Sequence, residues 1–282
     1  MIKLLIPTDF STNALNAISY ALQLFKNQQC AIFLMHAFYD EIHEAEIPLS
    51  EKVKTEVKEM IENRSVEQLE HSLALIKKNF SNPNHSFRII CENNKLIDEA
   101  DRIVNDHNID LLVMGTKGKT NNRKLTFGSN TLKVLKYVKC PVLAVPENYK
   151  YSEPKRFLFP TNFLVPYKLR ELKLLGLITN EHDAFINLFN VSTAENFSSR
   201  ELKNQDFIKN GIDSKKINIT RIKSRNVLEA IFNAIEKDKA DVLVMVNTKH
   251  SFLEDILFKS NIDELSLNVK VPFLALQNMN RN

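Results

Sequence analysis

A chain of 282 residues is long enough for one large domain or two modest ones, and its composition, 44% hydrophobic and 26% charged, excludes a disordered chain. The 38 basic and 34 acidic residues leave a formal net charge of only +4, which argues against the strongly basic class of proteins, so we expect no nucleic-acid partner. No run of about 18 apolar residues occurs and the apolar N-terminal stretch is too short for a signal peptide, so we expect no membrane association and a cytoplasmic location.

The first half alternates short apolar strands with amphipathic helices. Residues 2–7 are predicted to form a strand, and Ser11 is placed to cap a helix whose apolar residues recur at helical spacing from Ala14 to Phe25. The elements that follow are a strand at 31–37, a charged surface helix at about 49–79, a strand at 86–91, a helix from Leu96, a strand at 111–114, a helix after Ser129 and a strand at 142–145. This alternation predicts an α/β fold with a parallel sheet covered by helices on both faces.

The cysteines and histidines show no spacing typical of a disulfide or metal framework. Cys30, Cys91 and Cys140 occur singly, with no C-x-x-C pair, which favours reduced, structural thiols. The seven histidines are dispersed without an H-E-x-x-H pattern.

Three of the five glycines lie between the strands at 111–114 and 142–145, at Gly115, Gly118 and Gly128. Glycines that follow a strand and precede a helix let backbone N–H groups approach an anion, and the helix N-terminus adds a partial positive charge. The segment is therefore predicted to bind phosphate. It belongs neither to a dinucleotide-binding domain, whose glycines lie in the first strand–helix turn (here PTDFST, with none), nor to a P-loop, because no G-x-x-x-x-G-K-[ST] occurs.

The spacing G-x2-G-x9-G-S, from Gly115 to Ser129, resembles the nucleotide-binding signature of the ATP-binding branch of the universal stress protein family. The likeness extends to IPTDFS (Ile6 to Ser11) and to LMHAF (Leu34 to Phe38). It implies an adenine nucleotide alpha hydrolase-like fold: a doubly wound, five-stranded parallel sheet with strand order 3-2-1-4-5. In that order the chain reverses between strands one and four, where ligands of such sheets bind, so Thr8-Asp9 and Gly115 are expected at one crevice.

The second half repeats the first. LLVMGTKG (Leu111 to Gly118) aligns with VLVMVNTK (Val242 to Lys249), CPVLAVP with VPFLALQ, and IPTDFS with FPTNFL (Phe159 to Leu164). We therefore predict two tandem copies of one domain, residues 1–147 with the intact motif and residues 154–279 with a degenerate one, joined by a polar linker.

The motif is lost in the second copy, where Gly115, Gly118 and Gly128 become Val246, Lys249 and Lys259, Asp9 becomes Asn162, and only Ser129 is kept, as Ser260. A β-branched Val would strain a turn that needs positive φ, and a lysine would fill the space of a phosphate. In its place the segment SFLEDILF carries Phe252, Leu253, Ile256 and Leu257 at helical spacing, which favours core packing over a partner surface.

Asp9 is expected to accept hydrogen bonds from ribose hydroxyls, because a carboxylate suits a diol; the alternative is that it only caps the following helix. The resemblance implies that the backbone at Ala37 meets the adenine. Lys117, Lys119, Arg123 and Lys124 make the glycine loop basic, either as ordinary surface charge or as a screen for a triphosphate. The complete predicted nucleotide site is Pro7, Thr8, Asp9, Ala37, Met114, Gly115, Thr116, Lys117, Gly118, Arg123, Gly128, Ser129 and Asn130.

The favoured function is an ATP-binding, or AMP- or ADP-binding, regulatory or stress-response protein whose hydrolysis is slow or absent, since no catalytic constellation can be placed in the crevice. Asp9 could hold Mg²⁺ through phosphates, although one carboxylate provides few protein ligands for the ion. The alternatives are an ATP hydrolase or adenylate-transferring enzyme, whose signatures SGGxDS and HIGH do not occur, and a protein-interaction module with a vestigial site. The two copies are expected to pair through their fifth strands as an internal pseudo-dimer, to which a further homodimer could be added; the competing outcome is that each fifth strand pairs with another chain.

Overall fold

The computed structural model describes residues 1–43, 51–118, 127–165, 167–247 and 270–278. Within these ranges every helix is too short or too polar to span a bilayer. The predicted Lys119, Arg123 and Lys124 of the glycine loop lie outside the described residues, as do Lys249, Lys259, Ser260 and the segment 251–258 of the second half.

The first half contains five parallel strands that alternate with helices, as predicted. The strands are β1 (Ile2–Pro7), β2 (Cys30–Ala37), β3 (His85–Glu92), β4 (Leu111–Gly115) and β5 (Val142–Val145). The helices are α1 (Thr12–Leu24), α2 (Tyr39–His43), α3 (Glu51–Asn79), α4 (Leu96–His107) and α5 (Ser129–Tyr137). The five-residue α2 was not predicted, because a single helical turn is too short to show a periodic apolar face.

The second half follows the same plan with a shorter second crossover. Its strands are β6 (Arg156–Pro160), β7 (Phe185–Val191), β8 (Ile217–Ile222), β9 (Val242–Asn247) and β10 (Phe273–Gln277). Among the described residues its helices are α6 (Leu169–Glu181), α7 (Ser199–Ile212) and α8 (Val227–Asp238), and the 14-residue α7 stands where the first half has the 29-residue α3.

All ten strands form one sheet in the order β3-β2-β1-β4-β5-β10-β9-β6-β7-β8. The strand order 3-2-1-4-5 is therefore confirmed in the first half, and the second half shows the same order when its strands are numbered in sequence. The halves meet where β10 pairs antiparallel with β5, with Leu274 opposite Leu143. The domain boundaries 1–147 and 154–279 stay a prediction.

The core consists of two apolar layers, one on each face of this sheet. One contains residues of α1 and α6, such as Ile18 and Leu175, and the other contains residues of α4, α5 and α8, such as Ile103 and Val134. Both layers contain side chains from β5 and β10, so the apolar core continues from one half to the other. Cys30 and Cys140 are buried, Cys91 is half-buried, and all three are free thiols.

Candidate functional site

The turn that follows β1 is held by short-range side-chain hydrogen bonds. Ser11 is the N-cap of α1, as predicted, and its side chain accepts from the backbone N–H of Ala14. Asp9 Oδ1 accepts from the N–H of Ser11 at 3.1 Å, and Thr8 Oγ1 accepts from the N–H of Phe10 at 3.0 Å. The helix cap therefore belongs to Ser11, while Asp9 fixes the turn that leads into it.

Phe10 adopts a left-handed backbone conformation, with φ of 63°. Its ring centroid lies 4.6 Å from that of the buried His36, whose Nδ1 is 2.8 Å from the carbonyl oxygen of Thr8 and whose Nε2 is 3.0 Å from Glu41 Oε1. A bulky residue at positive φ is uncommon and persists only where the surroundings enforce it. Sequence reasoning missed Phe10, His36 and Glu41 because a strained turn leaves no periodic signal.

The ends of β1 and β4 meet through Asp9 and Gly118. A Cβ atom built on Gly118 would lie 2.6 Å from Asp9 Oδ2, so any side chain there would displace the carboxylate. Thr8-Asp9 and residues 115–118 thus lie together at the carboxyl ends of β1 and β4, where the reversal of strand order predicts a ligand site.

Gly115 has no room for a side chain, because Asn13 of α1 occupies the space where its Cβ would lie. A Cβ atom at Gly115 would lie 2.6 Å from Asn13 Nδ2, which itself donates to the carbonyl oxygen of Lys117 at 2.7 Å. None of the glycines has positive φ. The sequence argument that Val246 would strain a left-handed turn is therefore wrong; Gly115 and Gly118 provide space for the side chains of Asn13 and Asp9, not an unusual backbone conformation.

Asn13 is a crevice residue that sequence reasoning missed. It is 6% exposed, and its Oδ1 is buried without a hydrogen-bond partner among the described residues. Its only signal in the sequence is a polar side chain on the buried face of α1, beside Ala14 and Ala17. A buried amide that holds the carbonyl of Lys117 fixes the course of the glycine segment.

Helix α5 begins at this crevice. Gly128 is its N-cap and makes no side-chain cap, and the N–H of Gly128 donates to the carbonyl oxygen of Thr116 at 2.7 Å. Thr131 Oγ1 donates to the carbonyl oxygen of Gly115 at 3.0 Å, so the first turn of α5 is fixed to the end of β4. Ser129 and Asn130 are exposed in that turn, where N–H groups point along the helix axis.

The other predicted residues border the same region. Pro7 and Met114 are buried at the ends of β1 and β4, and the N–H of Thr116 donates to the carbonyl oxygen of Val145. Ala37 is half-buried at the end of β2, paired with Glu92, and Lys117 is half-buried next to Gly118. Among the described residues no group of three or more His, Cys, Asp or Glu side chains could hold a metal ion.

In the second half the turn is kept but the crevice is built from different side chains. Phe163 repeats the positive φ of Phe10 at 58°, and Asn190 Nδ2 donates to the carbonyl oxygen of Thr161 at 2.9 Å, as His36 contacts Thr8. Thr161 also bonds the hydroxyl of Tyr167, whose pKa burial raises to about 12. Asn162 Oδ1 accepts from the N–H of Leu164, the same turn that Asp9 Oδ1 makes with the N–H of Ser11 in the first half.

Two amides occupy the strand ends on the second-half side. Asn247, which follows Val246 at the position equivalent to Thr116, donates to the carbonyl oxygen of Leu135 in α5 at 2.6 Å and to Gln277 Oε1 at 2.8 Å. Gln277 Nε2 donates to the same carbonyl at 3.0 Å. The described part of this second crevice therefore contacts the first half.

Parallel strands covered by helices, with the order 3-2-1-4-5 in each half, define a doubly wound α/β protein. The model of the universal stress protein family matches residues 1–146, more than half of the chain, and the chain belongs to this family. Over 153 residues, 51% of this chain and 93% of the relative, it is 29% identical to universal stress protein MJ0577 of Methanocaldococcus jannaschii.

Two solved structures resemble the whole chain. One is a universal stress protein from Archaeoglobus fulgidus DSM 4304, with a TM-score of 0.64, 13% identity and 98% of each chain covered. The other is the functionally unknown protein PA1789 from Pseudomonas aeruginosa PAO1, with a TM-score of 0.58, 13% identity, and 98% of this chain and 92% of that chain covered. At these identities the likeness shows the fold alone.

Proposed function

We propose that this protein binds one adenine nucleotide, ATP or its product AMP or ADP, in the crevice of the first half, and acts as a regulatory or stress-response protein with slow or absent hydrolysis. The observation that carries the proposal is the contact of Asp9 with Gly118, which brings an acceptor suited to a ribose diol against a glycine segment suited to phosphate.

Each part of the crevice has a distinct role in this proposal. The first turn of α5, with Ser129 and Asn130, offers uncapped N–H groups and the positive end of the helix dipole to phosphate oxygens. Asp9 faces the ribose, with Pro7 and Thr8 beneath it, and the backbone at Ala37 meets the adenine. Met114, Gly115, Thr116, Lys117 and Gly118 supply the wall that follows β4, and Gly128 lets the chain enter α5 without a side chain over the phosphates. Arg123 adds positive charge for a triphosphate.

Mg²⁺ would be held mainly by the phosphates, with Asp9 as the protein carboxylate that could contribute to its coordination. A single carboxylate fits the way that Mg²⁺ is bound beside nucleotides, where the ion keeps several waters. When bound, the ion would neutralise phosphate charge. The difference in nucleotide affinity with and without EDTA would measure how much Mg²⁺ contributes to binding.

Calorimetric titration of the full chain with ATP, ADP, AMP and GTP tests the proposal. We expect one site per chain for the adenine nucleotides, and a micromolar Kd would correspond to about 8 kcal/mol of binding free energy. Two equivalent sites, or no heat with any adenine nucleotide, would contradict it. Mass spectrometry of ligand released from the freshly purified protein identifies the nucleotide, and phosphate release over hours separates binding from hydrolysis.

We also propose that the halves form an internal pseudo-dimer through β5 and β10. Antiparallel pairing of Val142–Val145 with Phe273–Gln277 covers the backbone groups of two strands that would otherwise be sheet edges. Phe127 packs against Phe273 with ring centroids 5.7 Å apart, so side chains support the pairing of the strands. In the competing assembly each fifth strand would pair with another chain, whereas a further homodimer through the remaining edges would be compatible with the internal pairing.

A further inference from the structure

A cavity of about 810 Å³ lies between α8 and the strands β6, β7 and β8 of the second half, away from the crevice proposed for the nucleotide. We infer that this cavity, named here the α8 cavity, binds an uncharged small molecule that has an apolar ring and an amide or hydroxyl group. This inference goes beyond the proposed function and does not depend on it.

The α8 cavity exists because bulky side chains of the first half are replaced by small ones. In the first half Phe33 of β2 stacks on His107 at 4.8 Å and lies 5.7 Å beneath the guanidinium of Arg88, its partner on β3. In the first half Phe33 is paired with Leu5, and in the second half Asn187 is paired with Leu158, the residue equivalent to Leu5. Asn187 therefore occupies the position of Phe33. Its neighbour Asn218 on β8 occupies the position of Arg88 on β3. The second half therefore has the smaller side chains Asn187, Asn218 and Asp238 where the first half has Phe33, Arg88 and His107.

The helix that covers this part of the sheet also carries smaller side chains in the second half. Glu99 and Ile103 of α4, both buried, are replaced by Ala230 and Ala234 of α8. Natural protein interiors pack densely and keep few voids larger than a water molecule, so a space of this size needs a structural cause. Here the side chains are smaller both on the strands and on α8, so neither side fills the space between them.

The lining defines the kind of molecule that fits. Its apolar part includes Leu158 and Phe189 on the sheet side and Ala230 and Ala234 on the helix side, two apolar walls between which a ring fits. Its polar part includes the neutral side chains Asn187, Asn218, Thr220 and Asn233. Binding sites for small molecules combine such an apolar surface with a few hydrogen-bonding groups, in volumes of roughly 300–1,000 Å³.

The charged groups of the lining balance one another, which favours an uncharged occupant. Arg156 and Lys237 are cationic, and Glu229 and Asp238 are anionic. Arg156 Nε lies 3.8 Å from Asp241 Oδ2, and Asp238 Oδ2 accepts from Asn187 Nδ2 at 3.2 Å. A charged ligand would lose its hydration without gaining an excess of opposite charge.

The test uses benzamide as the probe and benzoate as its charged counterpart of equal shape, with the full chain observed by saturation-transfer NMR. Benzamide is expected to bind with a Kd on the order of 1 mM, the range of a small fragment, and at least about fivefold more tightly than benzoate. The double variant Asn187→Phe/Ala234→Ile restores side chains of first-half size and should weaken benzamide binding at least about tenfold. Leu202→Ala, on the exposed face of α7, is the control and should leave benzamide binding unchanged.

Circular dichroism checks that the double variant is folded, and Ala234→Ile alone replaces it if it is not. The inference is overturned if benzamide gives no signal at about 10 mM, if benzoate binds equally well, or if the filled variant binds benzamide like the wild type. Titration of the filled variant with ATP should match the wild type, because the α8 cavity and the crevice of the first half are separate sites.

Discussion

The side-chain amide of Asn247 donates a 2.6 Å hydrogen bond to the carbonyl oxygen of Leu135, and so joins the end of β9 in the second half to the last turn of α5 in the first. The final carbonyls of a helix have no intrahelical donor and need an external one. Since α5 begins at the crevice beside Gly128, a helix that borders the proposed nucleotide site is held at its other end by the opposite half.

Loss of both amides that hold this carbonyl should destabilise the chain. The double variant Asn247→Ala/Gln277→Ala removes every side-chain donor that the described residues offer to Leu135 O, and a buried carbonyl without a partner costs about 1–3 kcal/mol. Urea unfolding measures the free energy. Asn196→Ala, at an exposed position, is the control, and an equal effect in both variants would show that the contact contributes nothing.

Gly118→Val should abolish nucleotide binding while the fold remains. The new Cβ would lie 2.6 Å from Asp9 Oδ2, so the carboxylate must leave its place, whereas Gly118 itself is exposed and its side chain would not enter the core. Calorimetry and circular dichroism of the variant give the two readouts. Wild-type affinity would mean that the glycine has a structural role only.

Gly128→Ala is the matched control for the fold. Its Cβ would meet no atom closer than 3.6 Å, which is ordinary van der Waals contact, so the free energy of unfolding should fall by no more than about 1 kcal/mol, the difference between alanine and glycine as an N-cap. A large loss of stability in this variant would show that the glycine segment does not tolerate substitution for reasons other than contact.

Gly176→Ala should be severely destabilising. Alanine is normally better than glycine inside a helix, but here a Cβ would lie 1.8 Å from the carbonyl oxygen of Ile212, where α6 crosses α7. Because a backbone atom cannot rotate away, we expect a loss of about 3 kcal/mol in urea unfolding. Gly211→Ala contacts the flexible Leu172 side chain at 2.6 Å and should cost only about 1 kcal/mol; a reversed order would contradict the crossing geometry.

The thiols should react slowly in the native protein. Burial raises the pKa of Cys30 to about 12 and that of Cys91 to about 11, so both are protonated and weakly nucleophilic at pH 8. Modification by Ellman's reagent should begin at Cys91, which is half-buried, and should accelerate about tenfold per pH unit below pH 11. Cys91→Ser should remove this first phase, and rapid reaction of all three thiols at pH 8 would contradict the assignment.

The separately expressed halves, residues 1–147 and 154–279, should associate when mixed. Each alone would expose β5 or β10 as an apolar edge strand, and their pairing in the intact chain shows that the two edges match. Sedimentation of the mixture should give a heterodimer. Halves that stay monomeric and show no affinity for one another would refute the internal pseudo-dimer.

Topology was predictable from the sequence because it depends on features that repeat along the chain. Apolar strands and helical periodicity gave the alternation, and the family resemblance gave the strand order that the structure confirms. The convergence of Asp9 with the glycines followed from the rule that ligands bind at the switch point of a parallel sheet.

The details of the crevice were not predictable, because they depend on contacts between residues far apart in sequence. The buried Asn13 reaches Lys117, and His36 links the carbonyl of Thr8 to Glu41, yet neither side chain stands out in a local pattern. For the same reason the sequence could not show the contact at Gly115: only the position of Asn13 shows that the glycine avoids a collision.

The antiparallel joint between β5 and β10 also has an evolutionary consequence. Two identical subunits that met in this way would share every mutation, because one gene would encode both copies. In a covalent tandem each copy mutates separately, so Val246 can stand opposite Gly115, and Asn187 opposite Phe33, in one molecule. The fused chain can therefore keep a site in one copy while the equivalent surface of the other copy changes.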